Sequence, residues 1–200
     1  MKQDFILASN NKKKLVEMRE ILSKMGYILC SQREAGCDFE VEENGTTFAE
    51  NAYLKASAVT AFTGKPAIAD DSGLVVDALD GSPGIYSARY GGDACASDVE
   101  RYELLLRNME GKANRSARFV SSIVCTFPNG DVIRAEGTCE GSIRTVPAGD
   151  GGFGYDPIFQ PEGMEVSMAE LTSEEKHAIS HRGNAIREFQ ERLIEYYADK

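Results

Sequence analysis

The chain has 200 residues, 42% hydrophobic and 27% charged, the balance of one large globular domain or of two lobes sharing a core. No apolar run approaches the roughly 18–20 residues that span a bilayer, and Phe5–Ala8 is too short for a secretory core, so a cytoplasmic protein with no membrane partner is expected. A net charge of −10 disfavours a nucleic-acid polymer as partner, and the five scattered cysteines, Cys30, Cys37, Cys95, Cys125 and Cys139, form no C-x-x-C pair that would suggest a disulfide framework or zinc.

Phe5–Ala8 reads as a buried strand that ends in the tight loop Ser9-Asn10-Asn11. Leu15, Met18, Ile21 or Leu22, and Met25 then recur at helical spacing, and Gly26 stops the helix. Tyr27–Ser31 is a second strand. Thr47-Phe48-Ala49-Glu50 is a capping box that opens an alanine-rich helix, closed by Gly64 and Pro66. A short strand, Pro66–Ala69, runs into Asp70-Asp71-Ser72-Gly73, and Leu74–Ala78 is extended again. Ser97 and Glu100 cap a further helix carrying Leu104, Leu105 and Met109. Phe119–Phe127 and Val132–Ala135 flank the hairpin signal Asn129-Gly130. Gly149–Gly154 is a glycine-rich loop, and Ile186, Phe189, Leu193 and Tyr196 or Tyr197 mark one face of a C-terminal helix. These elements predict an α/β fold, a central mixed sheet with helices on its flanks, in a single domain spanning residues 1–200.

Four segments carry chemistry. Ser9-Asn10-Asn11-Lys12-Lys13-Lys14 joins a strand end to a helix start, where unpaired N–H groups and the helix dipole favour an anion; no GxxxxGK[ST] occurs, so this is not a P-loop. Asp70 and Asp71 sit at the end of an apolar strand, where neighbouring side chains point to opposite faces: one can meet a metal while the other supports the loop. Glu42-Glu43 offers a second carboxylate, and Mg²⁺ takes one or two, completing its shell with water and phosphate oxygens. Gly149–Pro157 lets the backbone approach a ligand closely, and Phe153 and Tyr155 offer faces on which a base can stack. Ser180-His181-Arg182-Gly183, with Lys176 before it, supplies donors for a base carbonyl or a phosphate.

Taken together and in order, these segments resemble the inosine triphosphate pyrophosphatase family. The matching stretches are Ser9–Lys14, Glu42–Ala52, Ile68–Leu74, Pro83–Tyr90, Gly151–Pro157 and Ser180–Gly183, spread over nearly the whole chain. The resemblance implies an elongated mixed-sheet α/β fold with two lobes and a central cleft, in a homodimer. It implies a Mg²⁺-dependent hydrolysis of purine nucleoside triphosphates such as ITP, dITP and XTP to the monophosphate and pyrophosphate. It places Asn11 and Lys14 on the triphosphate with Ser9 opening the loop, and Lys55 near the phosphates. It makes Asp71 the catalytic, metal-associated aspartate, with Glu42 or Glu43 sharing the metal and Ser72 touching substrate. Phe153, Gly154, Tyr155, Asp156, Lys176, His181 and Arg182 then fall on the base-binding side. Two rival readings are a Maf-like pyrophosphatase for pyrimidine or modified triphosphates, which the Phe153–Asp156 and Ser180–Gly183 segments disfavour, and a non-catalytic nucleotide-binding module, in which Asp71 or Lys14 is expected to be lost.

Overall fold

A computed structural model describes residues 4–198. Its strands are β1 (Asp4–Leu7), β2 (Ile28–Ser31), β3 (Ala67–Val76), β4 (Ser116–Thr126), β5 (Val132–Ile143) and β6 (Phe159–Pro161). Its α-helices are α1 (Lys12–Lys24), α2 (Phe48–Thr63), α3 (Asp98–Asn108), α4 (Ser173–Ile179) and α5 (His181–Ala198). The strands form one sheet in the order β2-β1-β3-β4-β5-β6. β1 pairs parallel with both β2 and β3, and β5 pairs antiparallel with β6, so the sheet is mixed as expected. The parallel pairs are reached through α1 and α2, since parallel neighbours need a crossover connection.

The chain divides into two compact units. The first holds the described residues up to Asp71, Ser121–Gly137 and those from Arg182 onward; the second holds Ser72–Val120 and Thr138–His181. Strands β3, β4 and β5 each contribute residues to both.

In the first unit the period-2 alternation of the strands sorts the core into two layers. Phe5, Leu7 and Ile68 pack with Met18, Ile21 and Leu22 of α1 and with Ile186, Phe189 and Leu193 of α5. Ile6, Ala8, Ala67 and Ala69 pack instead with Ala52, Ala56 and Val59 of α2. A strand buried on both faces reads as an unbroken apolar run, which is how Phe5–Ala8 stood out. Phe189 is fully buried; truncating such a ring to alanine typically costs about 3–5 kcal/mol. The second unit has its own core, which includes Leu74, Val76, Leu105, Met109, Phe119, Ile143, Tyr155, Ile158 and Phe159.

The local signals at the helix ends act as their chemistry dictates. Thr47 and Glu50 form a reciprocal capping box at α2, Ser97 and Glu100 do so at α3, and Gly64 ends α2 in the left-handed region. Two expectations change. Asp70–Gly73 is not a turn between two short strands: β3 runs unbroken from Ala67 to Val76, because the carboxylates inside it find cationic partners and the ladder is not interrupted. A separate short helix, α4, precedes α5, capped by Thr172 and Glu175. All five cysteines are thiols, four of them buried. No described helix is long and apolar enough to cross a membrane.

Candidate active site

Asp70 and Asp71 lie in mid-strand, and the alternation of β3 sends them to different partners. Asp70 continues the face of Ile68, toward the layer of α1 and α5. There its Oδ2 accepts from Lys14 Nζ at 3.0 Å and Arg182 Nη2 at 3.1 Å, while the Ser121 hydroxyl donates to Oδ1. Burial raises the Asp70 carboxyl, but Arg182, Lys14 and Ser121 outweigh it and hold the group well below the usual carboxylate range. Arg182 in turn is bound by Glu17 from α1.

Asp71 continues the face of Ala67 and Ala69, toward α2. Lys55, on that helix, donates to Asp71 Oδ1 at 2.9 Å, to the Asp70 carbonyl at 3.0 Å and to Glu43 Oε2 at 3.3 Å. Burial pushes the Asp71 carboxyl up to about 6 against the pull of Lys55 and Lys14. Glu43 moves the other way: desolvation raises it, yet Lys55 and its contact with Asp71 hold it below the ordinary range. Two neighbouring carboxylates whose affinities for a proton are driven apart are what acid–base or metal chemistry uses.

Glu43 is placed by the start of α2. Asn51, fully buried, accepts the Gly45 N–H at 2.8 Å, and Glu50 accepts the Thr46 N–H at 2.6 Å. A side chain at Gly45 would meet the Asn51 oxygen at 2.7 Å, so glycine is required for this approach. The neighbouring Glu42 is exposed, and the structure brings Glu43 to the cluster instead.

The Ser9–Lys14 loop holds itself in place. Ser9 Oγ accepts the Asn11 N–H at 3.1 Å, and Asn11 Oδ1 accepts the N–H groups of Lys13 and Lys14 at 3.0 and 3.2 Å. Asn11 is therefore the N-cap of α1 and satisfies two of its orphan donors. Ser72 follows Asp71 in β3 on the opposite face, half-buried.

The remaining expected site residues, Arg182 excepted, belong to the second unit. Asp156 Oδ2 accepts from Lys176 Nζ at 2.7 Å and from the Phe153 N–H at 2.9 Å. Lys176 Nζ lies 5.0 Å from the centre of the half-buried Phe153 ring. Gly152 adopts φ +67°, and a Cβ there would sit 2.0 Å from Asp156 Oδ2. Tyr155 is a core residue whose hydroxyl donates to the Ser87 carbonyl at 2.7 Å, so of the two aromatic faces in this loop only Phe153 is presented. His181 is buried and stacks on Phe119 at 4.8 Å. Arg182 differs most from expectation. It is 1% exposed, and its guanidinium is committed to Asp70 and Glu17 in the first unit, so Asp70 links it to Lys14.

Several participants were not visible in the sequence. Glu17 and Ser121 carry no motif of their own; the helical offset of Glu17 from Lys14, three residues on, is the one available signal, because residues i and i+3 share a face.

A divalent cation fits the Asp71 corner. Asp71 Oδ2 is buried and has no hydrogen-bond partner among the described residues, an expensive state for a carboxylate oxygen unless a ligand meets it. Asp71 and Glu43, both within reach of Lys55, are two carboxylates at this corner, the number that Mg²⁺ commonly takes from a protein.

Known proteins resemble this chain over nearly its full length. A dITP/XTP pyrophosphatase of Halalkalibacterium halodurans is 46% identical over 189 residues, covering 93% of this chain and 96% of that one. A dITP/XTP pyrophosphatase of Gloeobacter violaceus is 48% identical over 187 residues, covering 94% and 92%. The solved structure of the Staphylococcus aureus Ham1 protein superposes with a TM-score of 0.86 at 42% identity, covering 97% of this chain and 100% of that one. Residues 5–192 match the family model of the Ham1 family, and to that family this chain belongs.

Proposed function

We propose that this chain is a nucleoside-triphosphate pyrophosphatase that hydrolyses noncanonical purine nucleotides, ITP, dITP and XTP, to the monophosphate and pyrophosphate, with Mg²⁺ as cofactor. The observation that carries the reading is the Asp71–Lys55–Glu43 cluster beside the Asp70–Lys14 pair, in a chain close to half identical to dITP/XTP pyrophosphatases.

Lys14 and Lys55 present ammonium groups to the triphosphate, and the capped start of α1 adds its dipole. Asp71 and Glu43 would hold Mg²⁺, which would supply charge neutralisation at the phosphate oxygens and a more acidic water. Asp71, with a carboxyl titrating at about 6, is mostly ionised at neutral pH. Its unpartnered Oδ2 is the atom available to ligate or to accept a proton from the attacking water. Water attacks the α-phosphorus, the α–β anhydride bond breaks, and pyrophosphate leaves with the bonding electrons. Lys55, whose charge is kept by Asp71 and Glu43 despite the desolvation that lowers it, stabilises the charge that develops.

For the base we propose Phe153 as the stacking surface, with Gly154, Asp156 and Lys176 around it. A donor opposite the six-carbonyl of hypoxanthine or xanthine stays unpaired against the amine of adenine, which costs about 1–3 kcal/mol and gives roughly 10–200-fold discrimination. We further propose a cytoplasmic homodimer, on the resemblance and the absence of a described membrane-crossing helix.

Incubation with ITP and Mg²⁺, with products separated by ion exchange, tests the reaction. Equal amounts of IMP and pyrophosphate are expected; IDP and orthophosphate overturn it. Equal kcat/KM for ATP and ITP overturns the base assignment, and a monomer mass by light scattering overturns the dimer.

A further inference from the structure

Phe153 stands between two peptide groups, and each of them donates to a carboxylate. Its own N–H goes to Asp156 Oδ2 at 2.9 Å, and the next N–H, that of Gly154, goes to Asp98 Oδ2 at 3.0 Å. Asp156 belongs to the same loop. Asp98 lies 56 residues earlier, at the first position of α3. All of these residues are in the second unit.

The Asp98 carboxylate is not needed to cap its helix. The orphan donors at the start of α3 are served by the Ser97 hydroxyl, which accepts the Glu100 N–H at 3.2 Å, and by Glu100, which accepts the Ser97 N–H at 2.8 Å. Asp98 instead divides its oxygens: Oδ1 accepts from Arg101 Nη1 at 3.2 Å, and Oδ2 accepts from Gly154. Arg101, one turn on, holds the carboxylate at the angle that meets the loop. On the loop's side, Gly152 and Gly154 both take positive φ, and the Tyr155 hydroxyl is tied to the Ser87 carbonyl. The backbone on either side of Phe153 passes through a glycine at positive φ, and the two carboxylates hold the N–H groups of Phe153 and Gly154. A charge-assisted hydrogen bond to a backbone N–H is among the stronger restraints available.

We propose that Asp98 is a positioning residue for purine binding: through the Gly154 N–H it fixes the ring of Phe153 at the angle on which the base stacks. This rests on the reading of Phe153 as the base platform. The relevant energy is pre-organisation: a ring that must be ordered on binding loses affinity for the base, while the phosphate end is untouched.

The experiment uses Asp98→Ala, Asp98→Asn and Phe153→Ala in the full chain, each assayed for ITP hydrolysis and for inhibition by IMP and by inorganic tripolyphosphate. Asp98→Ala is expected to raise the KM for ITP and the inhibition constant for IMP about tenfold, with kcat within about twofold of wild type and tripolyphosphate inhibition unchanged. Asp98→Asn keeps an acceptor for the Gly154 N–H and is expected to recover most of the loss. Unchanged IMP inhibition in Asp98→Ala overturns the proposal if Phe153→Ala weakens IMP. If Phe153→Ala also leaves IMP unchanged, the platform reading fails and the proposal falls with it. Equal weakening of IMP and tripolyphosphate in Asp98→Ala assigns the residue to general stability and overturns the positioning role.

Discussion

Asp70 and Asp71 are neighbours in β3 yet belong to different ion-pair networks, the first bound by Lys14 and Arg182 and the second by Lys55. Asp70 is held ionised far below its ordinary range, whereas Asp71 is pushed up to about 6. The pleat of one strand thus separates a carboxylate locked in ion pairs from the one proposed to react, and the two are expected to respond oppositely to the same substitution.

Asp71→Asn removes a charge that burial disfavours. The melting temperature should stay at or slightly above that of the wild type, while kcat falls by roughly 10²-fold or more at saturating Mg²⁺. Steady-state pyrophosphate release and a thermal melt on the same preparation check this; wild-type kcat removes Asp71 from the chemistry.

Asp70→Asn leaves the Arg182 guanidinium, 1% exposed, without its main neutralising partner. Breaking one side of such a buried pair typically costs about 3–5 kcal/mol. Urea unfolding should show that loss, and Arg182→Met should recover part of it in the double variant, because residues in contact are not additive. Full additivity would show that the pair is not coupled.

Acidification should act on the two groups in different windows. The depressed Asp70 contributes stability that is present above the unfolded pKa of about 3.9 and is lost as pH falls through its lower folded value. The raised Asp71 has the opposite sign: its contribution to stability is present below about 3.9 and is lost as pH rises through about 6. Activity at low Mg²⁺ should therefore fall as pH drops through about 6, where Asp71 takes a proton, while the fold persists. Raising Mg²⁺ should move that midpoint to lower pH, since cation and proton compete for one carboxylate. A midpoint independent of Mg²⁺ concentration separates Asp71 from the metal.

Lys14→Ala should weaken every nucleoside triphosphate alike. Lys14 touches Asp70 and stands at the start of α1, with no part in the Phe153 loop. KM for ITP and for ATP should rise by a common factor and their ratio should hold; a large change in that ratio places Lys14 at the base.

Periodicity and capping chemistry made most of the elements legible in advance. Met18, Ile21 and Leu22 fall on the buried face of α1, and Ile186, Phe189 and Leu193 on that of α5, because both helices cover one side of a sheet. Thr47 and Glu50, and Ser97 and Glu100, marked helix starts because the reciprocal capping bond is local in sequence. The sequence pattern breaks β3 in two, because four polar or small residues in a row resemble a turn when their partners lie far away in the chain.

The sequence by itself determined the α/β class, the helix ends, the ordered set of motifs and so the family, since each depends on residues near one another in the chain. It also determined that Asp70 and Asp71 face opposite ways, a consequence of strand geometry alone. Tertiary structure decided which of the two pairs with which cation, that Glu43 and not Glu42 joins the cluster, and that Arg182 braces Asp70. It also brought Asp98 to the Gly154 N–H. These are pairings across 12 to 112 residues of chain. No local pattern encodes them, because an ion pair is fixed by where folded backbones place two charges and by how little water remains around them.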